Sequence, residues 1–155
     1  DASFNNLPNG GSQGGQMVFL CDRFNRSCPL GWNSTRLKRV VRSALAAETL
    51  SMCDGCELAF LISAMVKEAL ALTKLPLYVI TDSRSLYEAL GTSNQVNDKR
   101  LRLEVYSLRE MVEKGDIHVV WVEGSKQVSD TLTKRGASCK LLTNVLQSGE
   151  LPHSM

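Results

Sequence analysis

The chain has 155 residues, 43% hydrophobic and 22% charged, which suits one globular domain with a buried core and excludes disordered, collagen-like and low-complexity classes. Its 18 basic and 16 acidic residues give a net charge of +2, too near zero to announce a nucleic-acid partner unless the charges are segregated. No apolar run approaches the roughly 20 residues that span a bilayer, so no membrane partner is expected.

Asp1–Gly15 reads as a turn-rich lead-in, with Pro8-Asn9-Gly10-Gly11 and Gly14-Gly15 as turn signals. Residue 1 is Asp and no targeting pattern follows it, which is expected of a processed, excised or fragmentary chain. Gln16–Cys21 is short and apolar, a strand; Asp22–Cys28 is a polar hairpin connection. A second strand is expected at Leu30–Ser34, and a third near Leu37–Val41. Ser43–Leu72 is rich in Ala, Leu, Met and Glu, and Leu45, Met52, Cys56, Ala59, Val66 and Leu70 mark one face of a long helix. Leu77–Thr81 is a buried strand, after which Asp82-Ser83 opens a short helix to about Leu90. A polar loop, Gly91–Asn97, precedes an amphipathic helix at Asp98–Lys114, with a stripe of Leu101, Val105, Leu108 and Met111 or Val112 and Gly115 as its cap. Ile117–Val122 is a strand, Glu123–Gln127 a loop, a short helix starts at Val128, and Cys139–Leu146 is the last helix. Strands alternating with helices after an antiparallel start imply one mixed α/β domain over residues 1–146, with a tail at 147–155.

Four carboxylates stand apart from those of helix surfaces and polar loops. Asp1 begins D-A-S-F, Glu48 lies among small and apolar residues in A-L-A-A-E-T-L, Asp82 ends the strand L-Y-V-I-T-D, and Asp130 lies in Q-V-S-D-T-L-T-K. Such a set suits hard divalent cations with oxygen ligands. Two ions roughly 3.5–4 Å apart clamp the attacking and leaving oxygens of a phosphodiester displacement. Without cations, gathered carboxylates repel and some of their pKa values rise. Asp82 and Asp130 also have a reading as helix caps, and Glu48 as the partner of a cation such as Arg42.

The ordered segments D-A-S-F, G-W-N-S-T-R-L-K-R-V-V-R-S-A-L-A-A-E-T-L, Y-V-I-T-D-S-R-S-L and V-W-V-E-G-S-K-Q-V-S-D-T-L-T-K resemble the ribonuclease H domain of copia-type retrotransposon polyproteins, from Asp1 to about Leu146. A-A-E-T and the closing Q-x-x-D-x-L-T-K are the more specific parts. The resemblance implies a ribonuclease H-like fold, a five-stranded mixed sheet flanked by helices, whose first strand is expected to begin before Asp1 and so to be truncated here. It implies endonucleolytic cleavage of the RNA strand of an RNA–DNA hybrid during reverse transcription. Asp1, Glu48, Asp82 and Asp130 would hold two Mg²⁺ ions, with Mn²⁺ as a substitute. The implied partners are the hybrid and the reverse transcriptase domain of the same polyprotein, with no small-molecule cofactor. Many ribonucleases H carry a histidine before the last carboxylate; Glu123–Ser129 has none, and His118 and His153 fall elsewhere.

Arg36, Lys38, Arg39 and Arg42 place four positive charges just ahead of the Glu48 helix, where they suit phosphate contacts or a charge-protected sheet edge. Ser3, Asn33 and Ser34 are candidate donors to 2′-hydroxyls. Lys99, Arg100 and Arg102 read as helix-surface charge, and Trp32 and Trp121 as packing residues on strands. Cys53-Asp54-Gly55-Cys56 has C-x-x-C spacing but falls inside a helix with no second pair, so its thiols read as structural. The five cysteines, an odd number with no secretory pattern, point to reduced thiols in an intracellular, cytoplasmic protein, and the resemblance adds virus-like particles as a setting. Two rivals remain. One is a catalytically inactive or trimmed nucleic-acid-binding module. The other is an integrase-like nuclease, whose carboxylate order should end on a helical glutamate, whereas here glutamate comes second.

Overall fold

The computed structural model describes residues 1–92, 96 and 98–152; parts of the expected Gly91–Asn97 loop and of the tail, including His153, lie outside them. The chain opens on a three-stranded antiparallel sheet in the order β1 (Ala2–Leu7), β2 (Gly11–Cys21), β3 (Ser27–Arg36). The expected turn-rich lead-in is therefore a hairpin. Its turn signals are compressed into one 3-10 turn at Pro8–Gly10, where Asn9 and Gly10 take φ values of 64° and 72°. Gly14 and Gly15 lie within β2 instead. A Cβ on Gly15 would come 2.7 Å from the side chains of Leu132 and Thr133, so glycine there lets a later helix lie directly on the strand. The β2–β3 turn is held by Asp22 Oδ1, which accepts from the backbone N–H groups of Phe24 (2.8 Å) and Arg26 (3.0 Å).

No strand forms at Leu37–Val41. Leu37 is buried against Ala2 and Ala47, and the chain then bends toward Ser43, whose hydroxyl accepts from Ala46 N–H at 3.1 Å and caps α1 (Ala44–Ala69). By length and composition α1 could cross a membrane, contrary to the expectation that no run is apolar enough. Here it packs against β1, β2, α2 and α3. Its buried residues include Ala46, Ala47, Thr49, Ser51, Met52, Cys56 and Ser63; of the expected face, Met52 and Cys56 are buried and Leu45 packs against the core, whereas Leu70 is exposed.

A parallel pair follows: β4 (Tyr78–Thr81) and β5 (His118–Trp121) run in register from Tyr78 opposite His118 to Thr81 opposite Trp121. Between them lie α2 (Arg84–Gly91) and α3 (Arg102–Glu113). α3 starts later than expected, because Asp98 forms a local turn with its side chain accepting from Arg100 N–H at 2.9 Å. Gly115 takes φ 75° just past its end, as a capping glycine does. α4 (Asp130–Thr133) and α5 (Lys140–Ser148) complete the chain. α5 passes the expected boundary at Leu146, and the tail folds back: Ser27 N–H donates to Gly149 O at 2.5 Å and the Asn25 side chain to Leu151 O at 2.9 Å.

The main core joins α1, α2 and α3 to the start of β5 through Met52, Cys56, Leu86, Val105, Leu108 and Ile117. Ser83 caps α2 by accepting from Leu86 N–H at 3.4 Å. Ser83→Ala is expected to lower unfolding stability by about 1 kcal/mol, measured as a lower denaturation midpoint at unchanged slope.

Five strands are thus present among the described residues, but the expected single five-stranded sheet is not formed. They divide into an antiparallel three and a parallel two. β1 pairs regularly only at Ala2 and Ser3 before its register shifts, with Asn5 left-handed at φ 55°. An open slot of about 500 Å³ separates the second half of β2 from β4, so those strands do not reach one another.

Candidate metal centre

Three of the four expected carboxylates meet. Asp1 precedes β1, Glu48 sits in the second turn of α1, and Asp82 follows the last residue of β4. One carboxylate oxygen from each lies within 4.8 Å of the others, and all three residues are half-buried. Trans oxygens on a single Mg²⁺ with bonds of about 2.0–2.1 Å lie about 4 Å apart, so small rotamer changes would let this set share a hard cation.

Each group is held by its element. Glu48 Oε1 accepts from Ala2 N–H at 3.2 Å, and Ser51, one turn further along α1, donates to Asp1 O at 2.6 Å. Asp1 is further tied to β2, whose Gly15 N–H donates to Asp1 O at 3.0 Å. Thr133 of α4 donates its hydroxyl to Asp1 Oδ2. Trp121 Nε1 donates to Asp82 O at 3.1 Å, fixing the backbone there while leaving the carboxylate for other work. The capping alternative for Asp82 falls away, because Ser83 caps α2.

Burial pushes the Glu48 carboxyl above its ordinary pKa, and Asp82 adds to the rise; the Asp1 α-amino group, the Ala2 N–H bond and Lys134 oppose it. No Lys or Arg among the described residues forms a salt bridge with Asp1, Glu48 or Asp82, so the Arg42 alternative for Glu48 is not realised. The donor set therefore fits a divalent cation: three hard oxygen donors, gathered without a salt bridge among the described residues and only partly offset by the Asp1 α-amino group and Lys134.

Asp130 is not brought into this group. It begins α4, whose Thr133 touches Asp1, but its own carboxylate takes Lys134 at 2.5 Å. Its expected capping reading is not met either, since it lies inside the helix without a side-chain cap bond. Sequence reasoning missed Lys134 and Thr133. The four-residue spacing from Asp130 carried the signal for Lys134, whereas the Thr133 bond to Asp1 joins residues remote in the chain and had no local signal.

The expected nucleic-acid contacts divide. Ser3 is 6% exposed and donates its hydroxyl to Thr133 O at 2.8 Å, so it latches β1 to α4 and is not presented outward. Ser34 is exposed but donates to Leu132 O at 2.5 Å and accepts from Gln13 at 2.9 Å. Asn33 is exposed on β3, as are Arg36 at its end and Lys38 and Arg42 beyond it. Arg39 is committed to Glu104 of α3. Asp1 bonds Gly15, which pairs with Ser34, so this polar edge lies two strand spacings, about 10 Å, from the carboxylates.

Trp32 is 69% exposed, against the expectation of packing, because β3 is the edge of its sheet. Trp121 is also partly exposed. His118 stacks against Tyr78 at 5.2 Å, at the end of β5 away from Asp82. All five cysteines are free thiols. Burial pushes Cys53 up to about 12 and Cys56 to about 11, which keeps both protonated and suits a packing role.

Comparison with known proteins points in one direction. The chain is 28% identical over 107 residues to the retrovirus-related Pol polyprotein from transposon RE1 of Arabidopsis thaliana, and 29% identical over the same length to that from transposon RE2. It is 28% identical over 150 residues to the transposon Ty1-NL2 Gag-Pol polyprotein of Saccharomyces cerevisiae. These matches cover 68%, 68% and 93% of the chain but only 7%, 7% and 8% of the respective polyproteins. No family model and no solved structure matches. The chain is similar, at low identity, to a short region of retrotransposon Pol polyproteins.

Proposed function

We propose that the chain is a divalent-metal-dependent ribonuclease H that cleaves the RNA strand of RNA–DNA hybrids. The observation that carries this reading is the meeting of Asp1, Glu48 and Asp82 from three separate elements, with no salt bridge to any of the three among the described residues. Asp1, Glu48 and Asp82 hold Mg²⁺, and Asp130 joins them by turning from Lys134. The chemistry supplied by bound Mg²⁺ is activation of a water for in-line attack on phosphorus and stabilisation of the departing 3′-oxygen. The products carry 5′-phosphate and 3′-hydroxyl ends. The Ser51, Thr133 and Trp121 bonds hold the Asp1 and Asp82 positions against movement as the hybrid binds.

Arg36, Lys38 and Arg42 take phosphates along the β3 edge, and Asn33 faces the minor groove, where 2′-hydroxyls distinguish RNA from DNA. The other domains of a Pol polyprotein are the partners this reading implies, in an intracellular setting.

A hybrid with end-labelled RNA, incubated with Mg²⁺ or with EDTA, tests the proposal. Mg²⁺-dependent cleavage of the RNA strand is expected, with DNA duplex left intact; binding without cleavage would return the reading to a non-catalytic module. Replacing Arg36, Lys38 and Arg42 together by Ala is expected to weaken hybrid binding and to flatten the slope of log K against log salt by about 2–3. Fluorescence anisotropy across a salt series measures it.

A further inference from the structure

The short helix α4 is fixed beside the carboxylate group by bonds that leave the Asp130 side chain free to choose its partner. Ser3 donates its hydroxyl to Thr133 O at 2.8 Å, and Ser34 donates to Leu132 O at 2.5 Å. The Thr133 hydroxyl donates to Asp1 Oδ2. Gly15 lets the helix lie close, since a Cβ there would come 2.7 Å from the side chains of Leu132 and Thr133. Asp130 and Thr133 are three residues apart and share a face of α4, the face that meets Asp1. The Asp130 backbone is therefore already in place, and the carboxylate is kept out of the group by what it binds.

That partner is Lys134. Its ammonium lies 2.5 Å from Asp130 Oδ1, and its backbone N–H donates to Asp130 O at 3.1 Å, so the pair closes the single turn of α4. Burial dominates the Glu48 carboxyl, but the charge of Lys134 reaches it too and favours its ionised form. One ammonium thus serves Asp130 directly and the gathered carboxylates at longer range. The two paired side chains are 44% and 27% exposed, and an ion pair this open to water is weak enough to exchange. Lysine carries a compact charge on a flexible stem, so it can leave Asp130 without moving the helix.

We propose that Lys134 is a resident counter-cation of the metal centre, which holds Asp130 and limits the nucleic-acid-free chain to one divalent ion. This rests on the metal reading given above and adds a reason for the ions to bind unequally. Asp1, Glu48 and Asp82 are gathered without Asp130 and suffice for a first ion. A second ion needs the Asp130 carboxylate and competes for it with a cation already there. It also meets the repulsion of that ammonium, which costs most where charges are close and partly buried. Lys134 is therefore a positioning residue: it acts through Asp130, and it sets the order in which the site fills.

Titration with Mn²⁺ alone, followed by the electron paramagnetic resonance of the free ion, counts bound ions without reference to cleavage. The unmodified chain is expected to bind one ion, with a second weaker by roughly tenfold or more. Lys134→Gln removes the charge and is expected to tighten the second ion by roughly tenfold or more, with a smaller gain for the first. Lys134→Arg keeps the charge and should titrate like the parent. Combining Lys134→Gln with Asp130→Asn should lose the second ion again, since the freed carboxylate is its ligand. Circular dichroism checks that each variant is folded. Two ions of equal affinity in the parent, or a second ion no tighter in Lys134→Gln, would overturn the proposal and leave the metal reading standing. So would a Lys134→Arg chain that behaves like Lys134→Gln, or a second ion that survives in the double variant. No ion bound by any of these chains would overturn both.

Discussion

Asp82→Asn is expected to slow Mg²⁺-dependent cleavage of an RNA–DNA hybrid by about 10³-fold, close to 4 kcal/mol of barrier. Single-turnover rates at saturating hybrid measure it. The substitution is clean for structural reasons. Asp82 uses its backbone carbonyl, not its carboxylate, to receive Trp121 Nε1, and Ser83 caps α2. Asparagine keeps the size and backbone while removing one charge and one hard ligand oxygen. Because the Asp82 charge also repels Glu48, metal-free thermal stability is expected to hold or rise slightly alongside the loss in rate. A variant that cleaves as fast as the parent would sink the metal reading, because Asp82 belongs to the only group of its kind found among the described residues.

Glu48→Gln is expected to lose activity on a similar scale while gaining metal-free stability at alkaline pH. Folding raises the Glu48 pKa, chiefly by burial and further by Asp82. Between the ordinary carboxylate value and the raised one, the folded state binds more protons than the unfolded state, so stability falls as pH rises through that window. The Glu48 contribution is favourable below the ordinary glutamate pKa and is lost above the raised value. Glutamine stays neutral and still offers Oε1 to Ala2 N–H. In EDTA the variant should thus match the parent in acid and exceed it at pH 8, by about 2–4 °C in Tm per kcal/mol of burial and repulsion relieved. Mg²⁺ should reverse the order, since it binds the ionised cluster and stabilises the parent more than the variant. Thermal melts at several pH values, with and without Mg²⁺, separate these outcomes. A parent whose metal-free stability rises with pH through the same window would contradict the origin given to the Glu48 shift.

Both predictions rest on features that differ in how openly the chain displays them. The placement of Glu48 was legible because a carboxylate among Ala44–Leu50 breaks an apolar helical stretch. Asp82 was legible as the residue that ends an apolar strand. The hairpin of β1 and β2 was not: Asn, Pro and Gly dominate Asn5–Gly15, and local turn chemistry hid a strand in which Gly15 serves close packing under α4. Ser3 was read as an outward donor because nothing local reveals that Thr133, far along the chain, takes its hydroxyl. Trp32 was read as core because β propensity and bulk do not report whether a strand lies at an edge.

The sequence by itself determined which segments become the long helices, the β3, β4 and β5 strands, and the carboxylates that matter, because periodicity and a lone charge in apolar surroundings are local signals. Only the tertiary structure decided that Asp1, Glu48 and Asp82 converge while Asp130 turns to Lys134, and that the strands divide around a slot. Those outcomes depend on distances between elements remote in the chain. They are settled by how α1 packs under both sheets and by which backbone edges come close enough to bond.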